Sequence, residues 1–262
     1  MPARDNYSHG EFCWVDLNAH DMSAAKEFYG KLFGWQSVDF DMQGGPPYGG
    51  FLLDGKNIAG IGQMSDEMKT QGVPPSWNCY VRVQDAKATE EQAVALGAKV
   101  VESTLQITDA GHMAFLADPS GAMFATWQPI THQGSDVWGD DYSPCWCELA
   151  TWDIEGAKTF YEKVFGWTCN DFPGGPTQYY VANVDATNMT GGLLKMTKEW
   201  GDMPSHWSVY FHVPNVDETC AKCTELGGKV CFPPFDASVG RMAGCTDPQG
   251  AFFYVIKLNP ME

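Results

Sequence analysis

The chain has 262 residues, enough for one large domain or two of ordinary size, and 44% hydrophobic with 19% charged residues is a globular composition. A formal net charge of −17 argues against a nucleic-acid surface, which needs clustered Lys and Arg, and against docking on anionic lipid. No apolar run reaches the roughly 20 residues of a membrane helix, MPARDNYSHGEF carries no apolar signal region, and the nine cysteines form no regular framework, so a cytoplasmic protein with reduced thiols is expected.

The first expected strand, 12–18, alternates so that Cys13, Val15 and Leu17 share one face and Trp14, Asp16 and Asn18 the other. Asp21 is placed to cap a helix on which Ala24, Ala25, Phe28, Tyr29, Leu32 and Phe33 recur at helical spacing, and Gly34 stops it. Shorter strands are expected near 36–41, 48–53 and 58–63, then a strand at 78–83 and a helix at 86–96 ended by Gly97. Strands near 99–103, 112–117 and 122–128 follow. The turn Gly44-Gly45-Pro46-Pro47, like Gly174-Gly175-Pro176 further on, reads as a hairpin loop; no helix follows to make it a phosphate cradle. Cys220-Ala-Lys-Cys223 falls in a helical pattern with no second pair at zinc spacing, so helix surface or core is expected there.

The chain then repeats itself. FCWVDLNAHDMSAAKEFYGKLFGW (12–35) aligns with PCWCELATWDIEGAKTFYEKVFGW (144–167), SWNCYVRV (76–83) with HWSVYFHV (206–213), and GHMAFLADPSGAMF (111–124) with GRMAGCTDPQGAFF (240–253). Two copies of one domain are expected, over 8–130 and 142–262, with the polar stretch 131–141 as linker.

The paired motifs, an Asp followed by FY and FGW in each first part and ADPSGAMF or TDPQGAFF in each second part, resemble the vicinal oxygen chelate superfamily of glyoxalases, bleomycin-resistance proteins and extradiol dioxygenases. The resemblance covers essentially the whole chain. It implies an α+β fold of tandem βαβββ units, two glyoxalase-like cupped sheets with helices outside and ligand inside. On that footing Cys13, Val15 and Leu17 should face the helices and Trp14, Asp16 and Asn18 the cup.

The resemblance also places metal ligands at Trp14 and Trp146, Asn78 and Ser208, Ala125 and Tyr254, and near Gln63 and Lys195. These residue types are poor ligands for a divalent ion, which takes imidazole or carboxylate, so no metal or other cofactor is expected. A small shift of register would bring Asp16 or Glu148 in as displaced ligands, with His112 and His206 as partners.

Strand parity gives the cup linings: Trp14, Asp16, Asn18, Asn78, Tyr80, Arg82, Met123, Ala125 and Trp127 in the first; Trp146, Glu148, Ala150, Ser208, Tyr210, His212, Phe252, Tyr254 and Ile256 in the second. Asp16 with Arg82 is either a ligand-binding pair or a buried ion pair filling the cup. Glu148 with His212 is either a general base with its orienting partner or a satisfied core histidine. If catalytic, Tyr210 and Tyr254 would donate hydrogen bonds. His112 and Arg241, at the start of matching strands, are candidates to rim a cup or are strand ends facing solvent. A small-molecule ligand, aromatic or polar, is the expected partner, with no nucleic acid and no membrane, and the protein is a monomer or homodimer. Three functions follow: metal-independent acid–base chemistry on such a ligand, sequestration as in bleomycin-resistance proteins, or a metal lyase or dioxygenase with displaced ligands.

Overall fold

The computed structural model describes residues 4, 6–173, 175 and 177–260; Gly174 and Pro176 of the second expected turn lie outside them. The first half runs β1 (Phe12–Ala19), α1 (Met22–Phe33), β2 (Gln36–Phe40), β3 (Tyr48–Leu53), β4 (Lys56–Gln63), α2 (Asp66–Thr70), β5 (Ser76–Arg82), α3 (Ala86–Ala95), β6 (Lys99–Ile107), β7 (Gly111–Ala117) and β8 (Met123–Pro129). The second runs β9 (Pro144–Thr151), α4 (Ile154–Phe165), β10 (Thr168–Asp171), β11 (Tyr179–Asn183), β12 (Met189–Lys195), a 3-10 turn (Lys198–Trp200), β13 (His206–His212), α5 (Val216–Glu225), β14 (Lys229–Ala237), β15 (Gly240–Thr246) and β16 (Phe252–Leu258). The short α2 is absent from the sequence reading because it buries no residue and so leaves no hydrophobic period.

Each half forms one eight-stranded mixed sheet, in the orders β2-β3-β4-β1-β5-β8-β7-β6 and β10-β11-β12-β9-β13-β16-β15-β14. Four strands come from each βαβββ unit. The units join where β1 runs antiparallel to β5, and β9 to β13. Each cup is thus built inside its own half, giving the tandem α+β architecture. No described helix is long and apolar enough to cross a membrane.

The helices begin and end as their sequences dictate. Asp21 accepts from Ala24 N at 3.0 Å and Asp153 from Gly156 N at 2.9 Å, satisfying N–H groups the helix itself leaves unpaired. Gly34 closes α1 at φ 78°, a left-handed conformation costly for other residues.

The halves then pack through one shared core. Phe33 of α1 lies 5.5 Å from Phe211 and 6.0 Å from Phe253, both on the other half's sheet. Phe124 of β8 meets Tyr161 of α4 at 5.5 Å. The two motifs of the repeat meet here. The Tyr161 hydroxyl donates to Asp118 Oδ2 at 3.0 Å, and Tyr29 donates to Asp247 Oδ2 at 3.3 Å. The other carboxylate oxygen of each aspartate orders its own turn, accepting from Ala122 N and Ala251 N at 2.9 Å. The FY of one half therefore reads the DP-x-G turn of the other. The Trp of each FGW completes the exchange: Trp35 Nε1 donates to Tyr142 O and Trp167 Nε1 to Gly10 O, both at 2.7 Å.

One expected orientation is corrected. Val15 and Leu17 join the helix-facing core, but Cys13 packs with the cup residues Trp14, Tyr80 and Trp127. The pairing register slips between Phe12 and Trp14, and such a bulge adds a residue that breaks the alternation. Cys145 sits in the same slip of the second half.

Candidate functional site

In each cup, β1 or β9 offers a carboxylate to the neighbouring strands. Asp16 Oδ2 accepts from Tyr80 OH at 2.8 Å and Tyr48 OH at 3.2 Å, and Oδ1 accepts from Asn78 Nδ2 at 2.8 Å. Trp14 Nε1 donates to the Tyr48 oxygen at 3.3 Å. The second cup repeats the design with Glu148, which accepts from Tyr210 OH at 2.8 Å and from the Tyr179 hydroxyl. Trp146 Nε1 donates to Tyr179 OH at 3.1 Å.

Burial raises the carboxyl pKa of both acids, and the donated hydrogen bonds only partly oppose it: Asn78, Tyr80 and Tyr48 for Asp16, Tyr210 and Tyr179 for Glu148. The surrounding hydroxyls of Tyr48, Tyr80, Tyr179 and Tyr210 are pushed up as well, first by burial and then by the neighbouring carboxylate. Each cup is thus a tryptophan–tyrosine–carboxyl–tyrosine chain in which the carboxyl is the readiest group to exchange a proton.

Tyr48 and Tyr179 are absent from the sequence reading. Both lie on short strands whose inward parity was not assigned. The signal was in the adjacent strand: Gly60 and Gly192 leave room where a Cβ would meet the tyrosine oxygen at 2.0 and 1.9 Å.

The pairs Asp16–Arg82 and Glu148–His212 do not form. Asp16 stands opposite Asn78 and Glu148 opposite Ser208. Arg82 and His212 are four residues further along their strands, about 13 Å away at 3.3 Å per residue. Arg82 Nε is buried with no hydrogen-bond partner among the described residues. His212 Nδ1 lies 2.9 Å from Asp141 Oδ1, an approach out of line for a hydrogen bond. His212 borders an open cleft of about 550 Å³, with Leu53, Asp54, Lys56 and Tyr142, that lies outside both cups. His112 and Arg241 rim neither cup. Their neighbours Met113 and Met242 pack with the cup residues, so strand alternation turns His112 and Arg241 to the helix side. There Arg241 is tied to Asp217 at 2.7 Å and Asp236 at 3.1 Å.

Ala125 and Trp127 pack in the first cup, and Phe252, Tyr254 and Ile256 in the second. Trp127 lies 6.5 Å from Tyr80, and Tyr254 stacks on Tyr210 at 4.3 Å and 11°. Phe232 continues that stack, 6.3 Å from Tyr254 and 14° off parallel, and Trp200 stands 6.0 Å beyond it. The cups differ in access. The linker's His132 abuts Trp14 edge-on at 4.4 Å, and its carbonyl accepts from Trp127 Nε1 at 2.9 Å. Trp14 is 5% exposed and Asp16 equally so, whereas Trp146 and Glu148 are only half-buried.

Neither donor set fits a divalent metal. The positions implied by resemblance hold indole, amide, methyl, hydroxyl, phenol and ammonium groups, and Gln63 is spent on Met22 N and His20 O. Among the described residues, no three His, Cys, Asp or Glu side chains gather as a metal-holding group.

Two paired-βαβββ sheets, each holding a carboxyl bonded to tyrosine hydroxyls, define a two-domain protein of the glyoxalase, bleomycin-resistance and dioxygenase class. The chain belongs to that superfamily: residues 14–126 match the glyoxalase-like domain and residues 145–254 the glyoxalase/bleomycin resistance protein/dioxygenase superfamily. It is 38% identical over the full length of both chains to a Mycobacterium tuberculosis protein named "Putative glyoxylase CFP32". It is 31% identical to the anthracycline biosynthesis protein DnrV of Streptomyces peucetius, covering 97% of this chain and 95% of that one. Among solved structures, the Mn(II)-bound glyoxalase from Novosphingobium aromaticivorans shares the fold at TM-score 0.66 and 14% identity, over 98% of this chain and 83% of that one. The 2,3-dioxygenase LapB from Pseudomonas sp. KL28 does so at 0.64 and 13%, over 97% and 94%.

Proposed function

We propose that the second cup binds a planar aromatic small molecule and performs metal-independent acid–base chemistry on it, with Glu148 as the proton-transfer group. The observation that carries this reading is the Glu148 carboxyl itself: raised in pKa by burial, held by two tyrosine hydroxyls, and reached from the half-open side of its cup. A carboxyl raised above its ordinary pKa holds its proton longer as pH rises and is the better placed to act as a general acid. The stacked Tyr210, Tyr254 and Phe232 rings give the cup beside that group an aromatic wall. The similarity to the anthracycline biosynthesis protein DnrV of Streptomyces peucetius supports a flat, polycyclic ligand. Nine unpaired cysteines support a reducing, cytoplasmic setting, and the mutual packing of the two halves supports a monomer.

The test is titration with hydroxyanthraquinones, followed by tryptophan fluorescence and product analysis. Glu148→Gln should lower turnover by roughly 10²–10⁴-fold while leaving Kd within a few-fold. Tight binding with every probe recovered unchanged would replace catalysis with sequestration. A stoichiometric divalent ion whose removal by chelator abolishes turnover would overturn the metal-free mechanism.

A further inference from the structure

Three thiols meet on the helix side of the second sheet, away from both cups. Cys220 and Cys223 lie one turn apart on α5, and Cys245 lies on β15. The Sγ atoms of Cys220 and Cys245 are 4.0 Å apart, in hydrogen-bond contact. Cys223 Sγ donates to Thr246 O at 3.6 Å. The corresponding positions of the first half hold Glu90, Ala93 and Leu116. Ala93 and Leu116 are fully buried there, and Glu90 accepts from Thr104 N at 2.6 Å and pairs with Lys87. The fold therefore fills this place without sulfur, and only the second half brings three thiols together.

We propose that Cys220 and Cys245 form a redox-active dithiol that a hydroperoxide oxidises to a disulfide, tying α5 to β15. Cys220 is the entry sulfur: it is 5% exposed on the outer helix, whereas Cys245 is 0% exposed. The contact with Cys245 lowers the pKa of Cys220, as it does that of Cys223, against the opposing effect of burial, and the lowered pKa favours the nucleophilic thiolate; exposure is what sets Cys220 apart from Cys223, which is 0% exposed. The Cys220 thiolate attacks one peroxide oxygen and the O–O bond breaks. The hydroxide released takes up a proton as water and Cys220 becomes a sulfenic acid. Cys245 Sγ then attacks Cys220 Sγ, the S–O bond breaks, and hydroxide leaves with the Cys245 proton as a second water. Two thiols lose two electrons and hydrogen peroxide gains them. Closing the bond requires the sulfurs to approach by about 2 Å, a distance within side-chain rotation and a small helix shift.

The test uses the full-length protein treated with hydrogen peroxide, then denatured in N-ethylmaleimide and digested with trypsin without reductant. Lys222 separates Cys220 from Cys223, and Arg241 precedes Cys245, so each thiol falls in a different peptide. The expected product is a Cys220–Cys245 cross-linked peptide pair, released by dithiothreitol. Cys223→Ser should retain it, and Cys245→Ser should leave a Cys220 sulfenic acid that dimedone traps. Alkylated Cys220 and Cys245 in the treated wild-type protein, or a cross-link through Cys223 instead, would overturn the assignment whether or not the variants fold.

Discussion

The Tyr48 hydroxyl occupies the space that a side chain on Gly60 would fill. A Cβ there would lie 2.0 Å from the phenol oxygen, and one on Gly192 would lie 1.9 Å from that of Tyr179. The glycines are thus part of the site, because they let a tyrosine from the next strand reach the buried carboxyl. Gly60→Ala and Gly192→Ala should each expel that hydroxyl and leave the acid with one donor fewer. The expected cost is about 1–3 kcal/mol, read from urea unfolding midpoints. An unchanged midpoint for both would mean the tyrosines contribute nothing to holding the acids.

The raised pKa of Glu148 ties stability to pH with a definite sign. Its folded-state value lies above the ordinary carboxyl value of about 4.3, so the folded protein holds the proton more tightly than the unfolded chain. The stability this confers is full below the ordinary value and is lost as pH rises through the raised one. Glu148→Gln removes the titration while keeping the shape. Its urea midpoint relative to wild type should therefore move in the variant's favour as pH rises. A difference that stays flat with pH would show that the carboxyl titrates normally.

His132 acts in the opposite sense. Burial against Trp14 and Trp127 pushes its pKa down to about 4, with Asp136 only partly restoring it. The unfolded chain then takes up the proton first, so stability falls as pH drops from about 6.5 through 4. The loss should reach about 3 kcal/mol by pH 4 and disappear in His132→Phe, which keeps a ring against Trp14. Retention of the acid-side loss in that variant would assign it to other groups.

The shared core predicts one unfolding event for both halves. Phe33, Phe211 and Phe253 belong to one buried cluster with Phe160 and Tyr161. Heat or urea should give coincident transitions by far-UV circular dichroism and tryptophan fluorescence. Tyr29→Phe and Tyr161→Phe, which remove the bonds to Asp247 and Asp118, should each cost about 1–2 kcal/mol without splitting the transition. Two separated transitions would mean that the halves are stable apart.

Much of this was legible in the sequence because the duplication doubled every signal. Trp14 with Trp146, Asp16 with Glu148 and Tyr80 with Tyr210 agree in type and parity, and their strands place them as that parity requires. What was not legible depends on registers between strands. Asp16 and Arg82 look like a pair when strands are compared by their first residues, but antiparallel pairing sets Asp16 against Asn78. Cys13 turns to the cup because one bulge reverses the alternation, and alternation alone cannot reveal a bulge. The contact of Tyr29 with Asp247, 218 residues away, leaves only an indirect trace: both motifs occur twice.

The reciprocal bonds of Tyr29 to Asp247 and of Tyr161 to Asp118 give the chain the pattern of a two-fold symmetric dimer written as one polypeptide. In a true homodimer every substitution appears in both sites at once. Here each half can change alone while the other keeps its form. One half has drawn the linker histidine across its tryptophan and closed over an aspartate; the other carries a longer acid, a stack of rings and a thiol cluster. Covalent fusion has turned symmetry from an obligation into a starting point.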